Sequence, residues 1–511
     1  MTKRGIAAIA LVAGLTLPLA GFLSPAPVAP AWQYPDPSAP ALGPARPPGD
    51  AIASGPDGQT PSAAAVAADP AADEADGDEG MDPSTVYLQP NDGRIQVYPD
   101  RPSVLPGQAL RLHTSTTSSS YSIRVYREGT SAVQVFSHSG YRGRDYRAAR
   151  TVDTVMHTVR ANWPVSVSIP TRGWRPGVYT VYARDSSGRS SGTVFAVRSP
   201  SINPAGALFV LPVMDYQAYN GWGVGNFYST KIRSYAVSFD RPYNSNGGLS
   251  LYPNYDRYTL RWLLRHGYPL AFTTDYDLAM HPPATAPRVL VIPQHTEYVT
   301  KSLFDWVDAH VNGAGDMNVA YFGANSFYWQ VRLVPGPAGS ARPYDIVCYK
   351  STRDPIGAVD PSLMTVRWAS PPVNRPEAAL FGGEYSGVVD GGHIRHNEVV
   401  TAAMPAWARA GTGWRTGTQL TGLLLGEADR AQPESGGVAI SRGTAPYRVN
   451  GTTLTGTMTI RVSAAGGRVF DAGTFIFGGV LGNRYAVGVS YASFDRFARN
   501  VMGWLGLAAA R

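Results

Sequence analysis

The sequence predicts a multidomain protein in which a β-sandwich is followed by an α/β domain with a mainly parallel sheet. Residues 84–198 hold short segments that alternate apolar and polar residues between turn residues. Residues 199–511 instead alternate wholly apolar strands with segments of helical spacing. The chain of 511 residues is also too long for one ordinary domain, so two or three domains are expected.

The amino terminus predicts export. Lys3 and Arg4 precede the apolar run GIAAIALVAGLTLPLAGFL, and small residues near Ala31 offer a cleavage site, so residues 1–31 are predicted to form a signal peptide. The proline-rich flank carries no stop-transfer charge, which favours cleavage, although the run is just long enough to act as an uncleaved anchor. The predicted location is therefore secreted or extracytoplasmic, with an anchored form as the alternative.

Residues 32–83 predict a disordered linker. They are rich in Ala, Pro, Gly and Asp, as in SAPALGPARPPGD and AADPAADEADGDEG. A segment of this composition buries too little apolar surface to offset its chain entropy. The linker would hold the folded part of the protein away from a membrane or a cell wall.

The charge is distributed unevenly along the chain. The formal net charge is +7, but residues 24–83 hold ten acidic groups and one arginine, so the remainder is more strongly basic. Its arginines are scattered and no nucleic-acid motif is present, which predicts no nucleic-acid partner and leaves contact with an anionic cell wall open. The single cysteine, Cys348, excludes an intrachain disulfide framework.

Residues 84–198 predict a β-sandwich of immunoglobulin-like shape. The predicted strands lie in GRIQVYPD, QALRLHTS, YSIRVYRE, VSVSIPT, GVYTVYARD and GTVFAVRS, between Gly, Pro, Asp and Ser turns. Several such strands at short spacing are typical of this fold. A module of this kind serves either as a spacer or as a carbohydrate-binding accessory, and the spacing alone does not distinguish the two roles.

Residues 199–511 predict the α/β domain. Apolar strands are expected in GALFVLPVM, PLAFTT, RVLVIPQ and MNVAYFG, and helices in YDRYTLRWLLRHGY and KSLFDWVDAHVNG. The β segments and the final helix of residues 445–511 are assigned to the same domain. Ligands of such sheets bind beyond the carboxyl ends of the strands, so we expect the chemistry of the protein at that edge.

Polar and aromatic residues follow five predicted strands. They stand in the runs MDYQAYNGWGVGNFY, DYDL, HTEY, GANSFYW and GEADR, and include His295 and Glu297 two residues apart. Each has a structural explanation on its own: Glu297 could cap a helix that begins near Tyr298, and Glu427 could form a surface ion pair with Arg430. Taken together at successive strand ends, these residues predict a site.

Several familiar signatures are absent from the sequence. The chain has no HExxH zinc helix, no phosphate loop, no GxGxxG after a strand and no GxSxG elbow. Cys348 in DIVCYK has no histidine near it in the sequence, so we predict a buried strand residue. A hydrolase that uses Cys348 as nucleophile is the alternative hypothesis.

Eight ordered motifs carry a family resemblance. They are YQAYNGWGVGNFY, VSFDRPY, RWLLRHGY, TTDYDL, QHTEYV, FGANSFYWQVR, VCYK and GEADR, and the similarity covers roughly residues 170–511. With these motifs the chain resembles the carboxy-terminal domain of the N,N-dimethylformamidase large (beta) subunit. The resemblance implies a glutamine-amidotransferase-like α/β fold after a β-sandwich, and an amidohydrolase with one ferric ion held by two tyrosines and a glutamate.

The resemblance also implies which residues bind the iron. Glu297 in HTE matches the glutamate ligand. Tyr216 and Tyr219 in DYQAYN both match one tyrosine ligand, and the motif does not separate them. The other tyrosine ligand would be Tyr179 in WRPGVYTVY, with Tyr276 in TDYDL as a competitor. Phenolate and carboxylate oxygens are hard donors that suit a highly charged ion such as ferric iron.

Three further residues match the family's pocket. His295 would lie beside the iron, Asn325 in GANSFYW would line the pocket, and Glu427 in GEADR would act as general base. The resemblance then implies hydrolysis of an amide by water that the metal activates, with His295 or Asn325 donating to the oxyanion.

The sequence therefore predicts a secreted, iron-dependent amidohydrolase that acts on a small amide. Its expected partners are a small subunit or further copies of this chain. The chain departs from the family in WGVGN, where relatives show a double glycine, and in GEADR, which lacks a preceding aromatic residue. The alternative is a non-catalytic protein that binds the cell surface or wall and retains a degenerate amidotransferase-like scaffold.

Overall fold

The computed structural model describes residues 95–509, apart from 224–225, 229–232, 245–248, 250, 336–342, 390–393 and 449–450. The predicted signal peptide and the predicted linker lie outside the described residues. Within the described ranges, no helix is both long enough and apolar enough to cross a membrane.

The amino-terminal part consists of ten described β-strands. Their bounds are β1 Ile95–Pro99, β2 Ser103–Val104, β3 Ala109–Thr116, β4 Ser120–Arg127, β5 Val133–Arg142, β6 Thr151–Asp153, β7 Thr158–Arg160, β8 Val167–Pro170, β9 Gly177–Asp185 and β10 Ser190–Val197. The alternation predicted from the sequence is clearest in β4, where Tyr121, Ile123 and Val125 are buried and Arg124 is exposed. One face of this strand therefore packs inward and the other faces outward.

Two sheets of this part share one apolar core. The first has the order β1-β3-β8 and the second β2-β10-β9-β4-β5, and all pairs are antiparallel except β2 with β10. Both sheets contribute to the core, which includes Ile95, Val97, Leu110, Leu112, Ile123, Val125, Val181 and Phe195. The two-layer packing of β-sheets agrees with the prediction, while the immunoglobulin-like shape stays a prediction.

The following part alternates strands with short helices. Its strands are β11 Ala207–Leu211, β12 Ala236–Ser238, β13 Leu270–Thr274, β14 Val289–Ile292, β15 Tyr298–Thr300, β16 Asn318–Tyr321, β17 Trp329–Pro335, β18 Pro343–Val347, β19 Gly383–Val388, β20 His396–Val400, β21 Gln419–Leu424, β22 Glu427–Ala431, β23 Val438–Ala439, β24 Ser441–Pro446, β25 Thr453–Gly456, β26 Thr459–Val462 and β27 Arg468–Asp471. Its α-helices are α1 Val213–Ala218, α2 Arg257–Arg265, α3 Asp275–Met280, α4 Lys301–Asp308, α5 Ala378–Phe381, α6 Ala406–Arg409, α7 Phe477–Leu481 and α8 Tyr491–Trp504.

A seven-stranded sheet organises this part. Its order is β13-β11-β14-β16-β27-β26-β23. The first five strands are parallel, β26 runs antiparallel to β27, and β23 runs antiparallel to β26. Strands β11, β14 and β16 are buried along their whole length, as expected for strands covered on both faces. The mainly parallel sheet was predicted correctly, and the glutamine-amidotransferase-like arrangement stays a prediction.

The helix boundaries follow local sequence signals. Helix α2 ends before Gly267, whose φ of 65° is the left-handed conformation that glycine adopts without strain. Helix α4 begins at Lys301. The side chain of the preceding residue, Thr300, accepts a hydrogen bond from the backbone N–H of Leu303. Thr300 therefore caps this helix, and the interpretation of Glu297 as its cap was wrong.

The residue runs predicted to carry the site follow strands of two different sheets. The parallel strands β11, β13, β14 and β16 end close to the runs predicted to carry the site. The fifth run, GEADR, does not follow a strand of this sheet, because β21 lies in the sheet β21-β20-β24-β25 and Glu427 begins β22, which pairs with β19. A continuous apolar run such as LTGLLL fits a buried strand in either sheet, so the sequence pattern did not distinguish them.

We expect Gly323, which follows β16, to be intolerant of a side chain. A Cβ on Gly323 would lie 1.5 Å from the carbonyl oxygen of Gln294, so the two strand ends would have to separate. Gly323→Ala should lower the free energy of unfolding by about 2 kcal/mol, measured by chemical denaturation. Gly313→Ala is the control, because a Cβ there would contact nothing within 4 Å. Equal stability of the two variants would contradict the close approach.

Candidate metal centre

Two tyrosine hydroxyls converge on the buried carboxylate of Glu297. Tyr219 donates a hydrogen bond to Oε2 of Glu297 over 2.5 Å, and Tyr228 donates to the same oxygen over 2.6 Å. The two phenol rings are stacked, with their centroids 4.6 Å apart. Tyr298 in turn donates a hydrogen bond to the Tyr228 hydroxyl. Three phenol groups and one carboxylate thus form a single oxygen cluster.

His295 lies against the same cluster. Its Nε2 is 3.1 Å from the Tyr219 hydroxyl and 3.4 Å from Oε2 of Glu297. On the other side of the ring, Nδ1 donates to the carbonyl oxygen of Ala324 over 3.0 Å and is 3.4 Å from Oε2 of Glu427. The imidazole therefore lies between the two glutamates, and each of its nitrogens faces one of them.

Backbone hydrogen bonds hold Glu297 in place beyond the end of β14. Its N–H donates to Oδ1 of Asp215 over 2.9 Å, and its carbonyl oxygen accepts from the N–H of Trp329 over 2.8 Å. Asp215 lies in α1, whose first N–H groups donate to the buried carboxylate of Asp275. Because Tyr219 directly follows α1, the interactions that fix this helix also set the position of the Tyr219 hydroxyl.

Glu427, Asn325 and Asp429 extend the site on the far side of His295. Glu427 and Asp429 are two residues apart on β22, so their side chains share one face of the strand. Asp429 accepts the N–H of Asn325 with both carboxylate oxygens, over 2.9 and 3.0 Å. This contact stabilises the left-handed conformation of Asn325, whose φ is 61°.

Lys350 brings a positive charge to the cluster. Its Nζ lies 3.6 Å from the centre of the Tyr228 ring, 4.8 Å from that of Trp329 and 5.3 Å from that of Tyr298. These are cation–π distances, and they place the ammonium group on the faces of rings that surround Glu297.

Burial and mutual charge shift the pKa values of the site. Burial lowers the pKa of His295, but the negative charges of Glu427, Glu297 and Asp215 outweigh it and raise that pKa to about 10. Burial raises the pKa of Glu427 to about 7, against the opposing effect of the His295 charge. For Glu297, burial is outweighed by the hydrogen bond with His295 and the charge of Lys350, and its pKa is lowered.

The structure brings five of the predicted site residues together. Direct contacts link Tyr219, His295, Glu297 and Glu427, and Asn325 is bound to Asp429, two residues from Glu427 on β22. Glu427 is buried and faces His295, so the interpretation of this residue as a surface partner of Arg430 was wrong. The geometry also separates the two tyrosines that the motif left equivalent, because Tyr219 contacts Glu297 whereas Tyr216 donates its hydrogen bond to Asp256.

The other predicted residues lie elsewhere. Tyr179 is on β9 in the core of the amino-terminal sheets, where its ring stacks on Trp174 and its hydroxyl donates to the Arg175 carbonyl oxygen over 2.6 Å. Tyr276 packs edge-on against Phe239. Cys348 is buried just after β18, and burial raises the pKa of its thiol to about 12, which disfavours the thiolate that a nucleophile needs.

Sequence reasoning missed five residues of the site. They are Asp215, Tyr228, Tyr298, Lys350 and Asp429, which stand inside the motifs MDYQAYNGWGVGNFY, HTEY, VCYK and GEADR, but nothing in those motifs singles them out. The available signal was the density of tyrosines beside polar residues after β11 and β14. Which hydroxyl faces the carboxylate depends on loop conformation, and a linear pattern does not contain that information.

A metal ion could be held at this place. Asp215, His295 and Glu297 each offer one ligand atom, these atoms lie within 4.8 Å of one another, and all three side chains are buried. The neighbouring Tyr219 and Tyr228 hydroxyls add two further oxygen donors. Buried carboxylates with imidazole and phenol donors are a suitable ligand set for a transition metal.

The amino-terminal sheets contact the loop that carries the site tyrosines. Trp222 lies between Tyr219 and Tyr228, and its Nε1 donates to Oε1 of Gln96 on β1 over 3.3 Å. Its ring meets Trp163 edge-on, with centroids 5.9 Å apart. A Cβ on the next residue, Gly223, would lie 2.8 Å from a side-chain atom of Val159. The sandwich therefore packs closely against this loop.

Comparison with known proteins places the chain in a family. The protein consists of a β-sandwich followed by an α/β part. The α/β part carries a buried site of tyrosine, glutamate and histidine side chains. The profile of the N,N-dimethylformamidase beta subunit-like, C-terminal family matches residues 122–487, so the chain belongs to this family. This finding confirms the resemblance noted in the sequence.

Two other comparisons add no functional assignment. No curated protein matches the chain. One matching solved structure is that of a cycloisomaltooligosaccharide glucanotransferase from Paenibacillus sp. complexed with cycloisomaltoheptaose, with 10% identity and a TM-score of 0.15. The match covers 49% of this chain and 33% of that protein, so the chain spans about a third of that protein's length.

We expect Trp222 to control the order of the Tyr219–Tyr228 loop. Trp222→Leu removes the hydrogen bond to Gln96 and the edge contact with Trp163, a loss of about 1 kcal/mol. Amide hydrogen exchange in the loop should then be about fivefold faster. Trp407→Leu is the matched control, because Trp407 on α6 is half-buried against Trp504. If amide hydrogen exchange in this loop became equally faster in both variants, Trp222 would have no specific role.

Proposed function

We propose that the protein is a secreted, iron-dependent amidohydrolase that cleaves the C–N bond of a small amide. One observation carries the proposal: the hydroxyls of Tyr219 and Tyr228 both point at the buried carboxylate of Glu297, with His295 beside them. Membership of the N,N-dimethylformamidase beta subunit-like family supports the choice of an amide as substrate.

The donor set fits ferric iron. Deprotonated Tyr219 and Tyr228 together with Glu297 would offer three anionic oxygens, which are hard ligands suited to a trivalent ion. The hydroxyls of Tyr219 and Tyr228 both donate to Oε2 of Glu297. Loss of the two hydroxyl protons would therefore leave two phenolate oxygens and one carboxylate close together, all negatively charged. Iron(III), when bound, supplies Lewis-acid chemistry that polarises a carbonyl and makes a water molecule more acidic.

In this proposal, Tyr228 takes the role that the resemblance assigned to Tyr179. The Tyr228 hydroxyl contacts Glu297, whereas that of Tyr179 donates to a backbone carbonyl inside the sandwich core. For the same positional reason, Tyr219 is the ligand and Tyr216 is not.

Glu427, His295 and Asn325 handle the protons of the reaction. Glu427 has a buried carboxylate oxygen, Oε2, that makes no hydrogen bond in the described structure, so it is placed to accept a proton from the attacking water. The water oxygen bonds to the amide carbon, and an N–H of His295 or Asn325 donates to the oxyanion. The C–N bond then breaks, Glu427 returns the proton to the departing nitrogen, and the products are a carboxylic acid and an amine.

The proposal includes a partner and a location. The family takes its name from a beta subunit, which supports assembly with a small subunit or with further copies of this chain. The apolar run that follows Lys3 and Arg4 at the amino terminus supports export.

We expect iron binding to depend on the tyrosines that contact Glu297. Tyr219→Phe and Tyr228→Phe each remove one donor oxygen at almost constant volume, so each should lower the iron content and weaken the visible tyrosinate-to-iron absorption. Tyr216→Phe and Tyr179→Phe are matched controls and should retain both signals. Elemental analysis and visible absorption of the purified variants measure the effect.

Two results would contradict this assignment. Protein that stays colourless and metal-free after iron loading would exclude the iron proposal as a whole. Loss of iron in Tyr179→Phe with its retention in Tyr228→Phe would support the ligand set that the resemblance implies and reject the one that the geometry favours.

We expect Glu427 to act on the reaction and not on metal retention. Glu427→Gln preserves side-chain volume but removes the base, so iron content should be unchanged and the rate of amide hydrolysis should fall about 100-fold or more. Cys348→Ala should hydrolyse the same amide at the wild-type rate. A fully active Glu427→Gln variant, or an inactive Cys348→Ala variant that still binds iron, would contradict this mechanism.

A further inference from the structure

We propose that the outer face of the amino-terminal sheet is a docking surface for an acidic polysaccharide. This arginine face consists of Arg124 on β4, Arg142 on β5 and Arg184 on β9, together with the polar residues between them. The proposal concerns a surface separate from the metal centre, and it stands or fails independently of the proposed hydrolase activity.

Strand register places the three arginines on one side of the sheet. On β4, Tyr121, Ile123 and Val125 point into the sandwich core, so Ser120, Ser122 and Arg124 point outward. Arg142 is paired with Ser120, and Arg184 is paired with Ser122, and paired residues share a face. The register therefore puts arginines from three adjacent strands on the same outer face.

The arginine face is exposed and carries no opposing charge. Arg124, Arg142 and Arg184 are all exposed. Among the described residues, none of these three arginines forms an ion pair. Asp145, which is close in sequence to Arg142, is bound by Arg147 over 2.6 Å. The three guanidinium groups are therefore positioned to receive anions from outside the molecule.

The α/β part covers only one half of this outer face. Tyr126 and Tyr182 also point outward, but Tyr182 belongs to the large core of the α/β part and Tyr126 packs against that core. The neighbouring Glu128 pairs with Arg261 of α2 over 3.3 Å. The half that contains Ser120, Ser122 and Arg124 lies beyond these contacts, and it ends at β5, the last strand of its sheet. It is open to a partner that approaches from solvent.

The polar residues around the arginines favour a sugar polymer. Ser122, Gln134 and Ser137 supply hydroxyl and amide groups on the same face, since Ser137 is paired with Arg124 and Gln134 with Tyr126. Such groups bind sugar hydroxyls, while the guanidinium groups bind carboxylates or sulfates. Ser120 and Arg124 are about 13 Å apart along β4, a length that spans several sugar units.

Two other polyanions fit the arginine face less well. Single-stranded nucleic acid is normally held by exposed aromatic side chains on which its bases stack, and the aromatic residues of this outer face are packed against the α/β part. Apolar residues that enter the bilayer strengthen the binding of a basic surface to a membrane, and the open half of the face presents serine, glutamine and arginine instead. An acidic polysaccharide needs neither feature.

Binding of the full-length protein to polygalacturonate, a linear carboxylated polysaccharide, tests the proposal by isothermal titration calorimetry. We expect salt-dependent binding to polygalacturonate and no binding to neutral dextran. The triple variant Arg124→Ser, Arg142→Ser, Arg184→Ser should bind polygalacturonate about tenfold more weakly. The iron content and amide hydrolysis of this variant should equal those of the wild type, which separates this test from that of the hydrolase proposal.

A second triple variant controls for net charge. Arg172→Ser, Arg415→Ser, Arg442→Ser removes the same charge from exposed positions outside the arginine face, and its affinity should stay within about twofold of the wild type. Equal weakening in both triple variants would overturn the proposal. So would a wild-type protein that fails to bind polygalacturonate, or one that binds short single-stranded DNA or phosphatidylglycerol vesicles more tightly.

Discussion

The buried carboxylate of Glu297 is the constraint on which the site depends. Its side chain is 2% exposed, and an isolated negative charge in such a place would cost several kcal/mol. Tyr219, Tyr228 and His295 offset that cost by direct contact, and Lys350 adds a positive charge nearby. The site is therefore organised around the Glu297 carboxylate. Residues from loops distant in sequence converge on it because each of them stabilises this one negative charge.

The rest of the scaffold restricts how those partners can move. The carboxylate of Asp215 and the backbone N–H of Trp329 hold the backbone of Glu297. The carboxylate of Asp429 holds Asn325, and the carbonyl of Ala324 orients His295. Glu297 belongs to the oxygen cluster and His295 touches it, while Asn325 lies on the far side of His295. The surrounding scaffold therefore holds the polar groups of the candidate metal centre in fixed orientations.

The sequence was sufficient for the broad layout and insufficient for the loops. The alternation of apolar and polar residues in β4 predicted a sheet with one buried face, and the continuous apolar strands predicted a sheet buried on both faces. Burial of one or both faces determines which strand positions must be apolar, so the sequence shows it directly. His295 and Glu297 were found because a parallel sheet brings its strand ends to one edge. The motifs offered Tyr179 and either Tyr216 or Tyr219, and the structure places Tyr219 and Tyr228 at the carboxylate. Loop tyrosines face whichever group their backbone conformation allows, and that conformation is set by distant packing.

Trp222 makes the two parts of the protein interdependent. Through its contacts with Gln96 and Trp163, the amino-terminal part packs against the segment that carries Tyr219 and Tyr228 of the candidate metal centre. Exchange of the amino-terminal part for an unrelated one would remove these contacts and change the environment of the candidate metal centre. We therefore expect the two parts to diverge together across relatives.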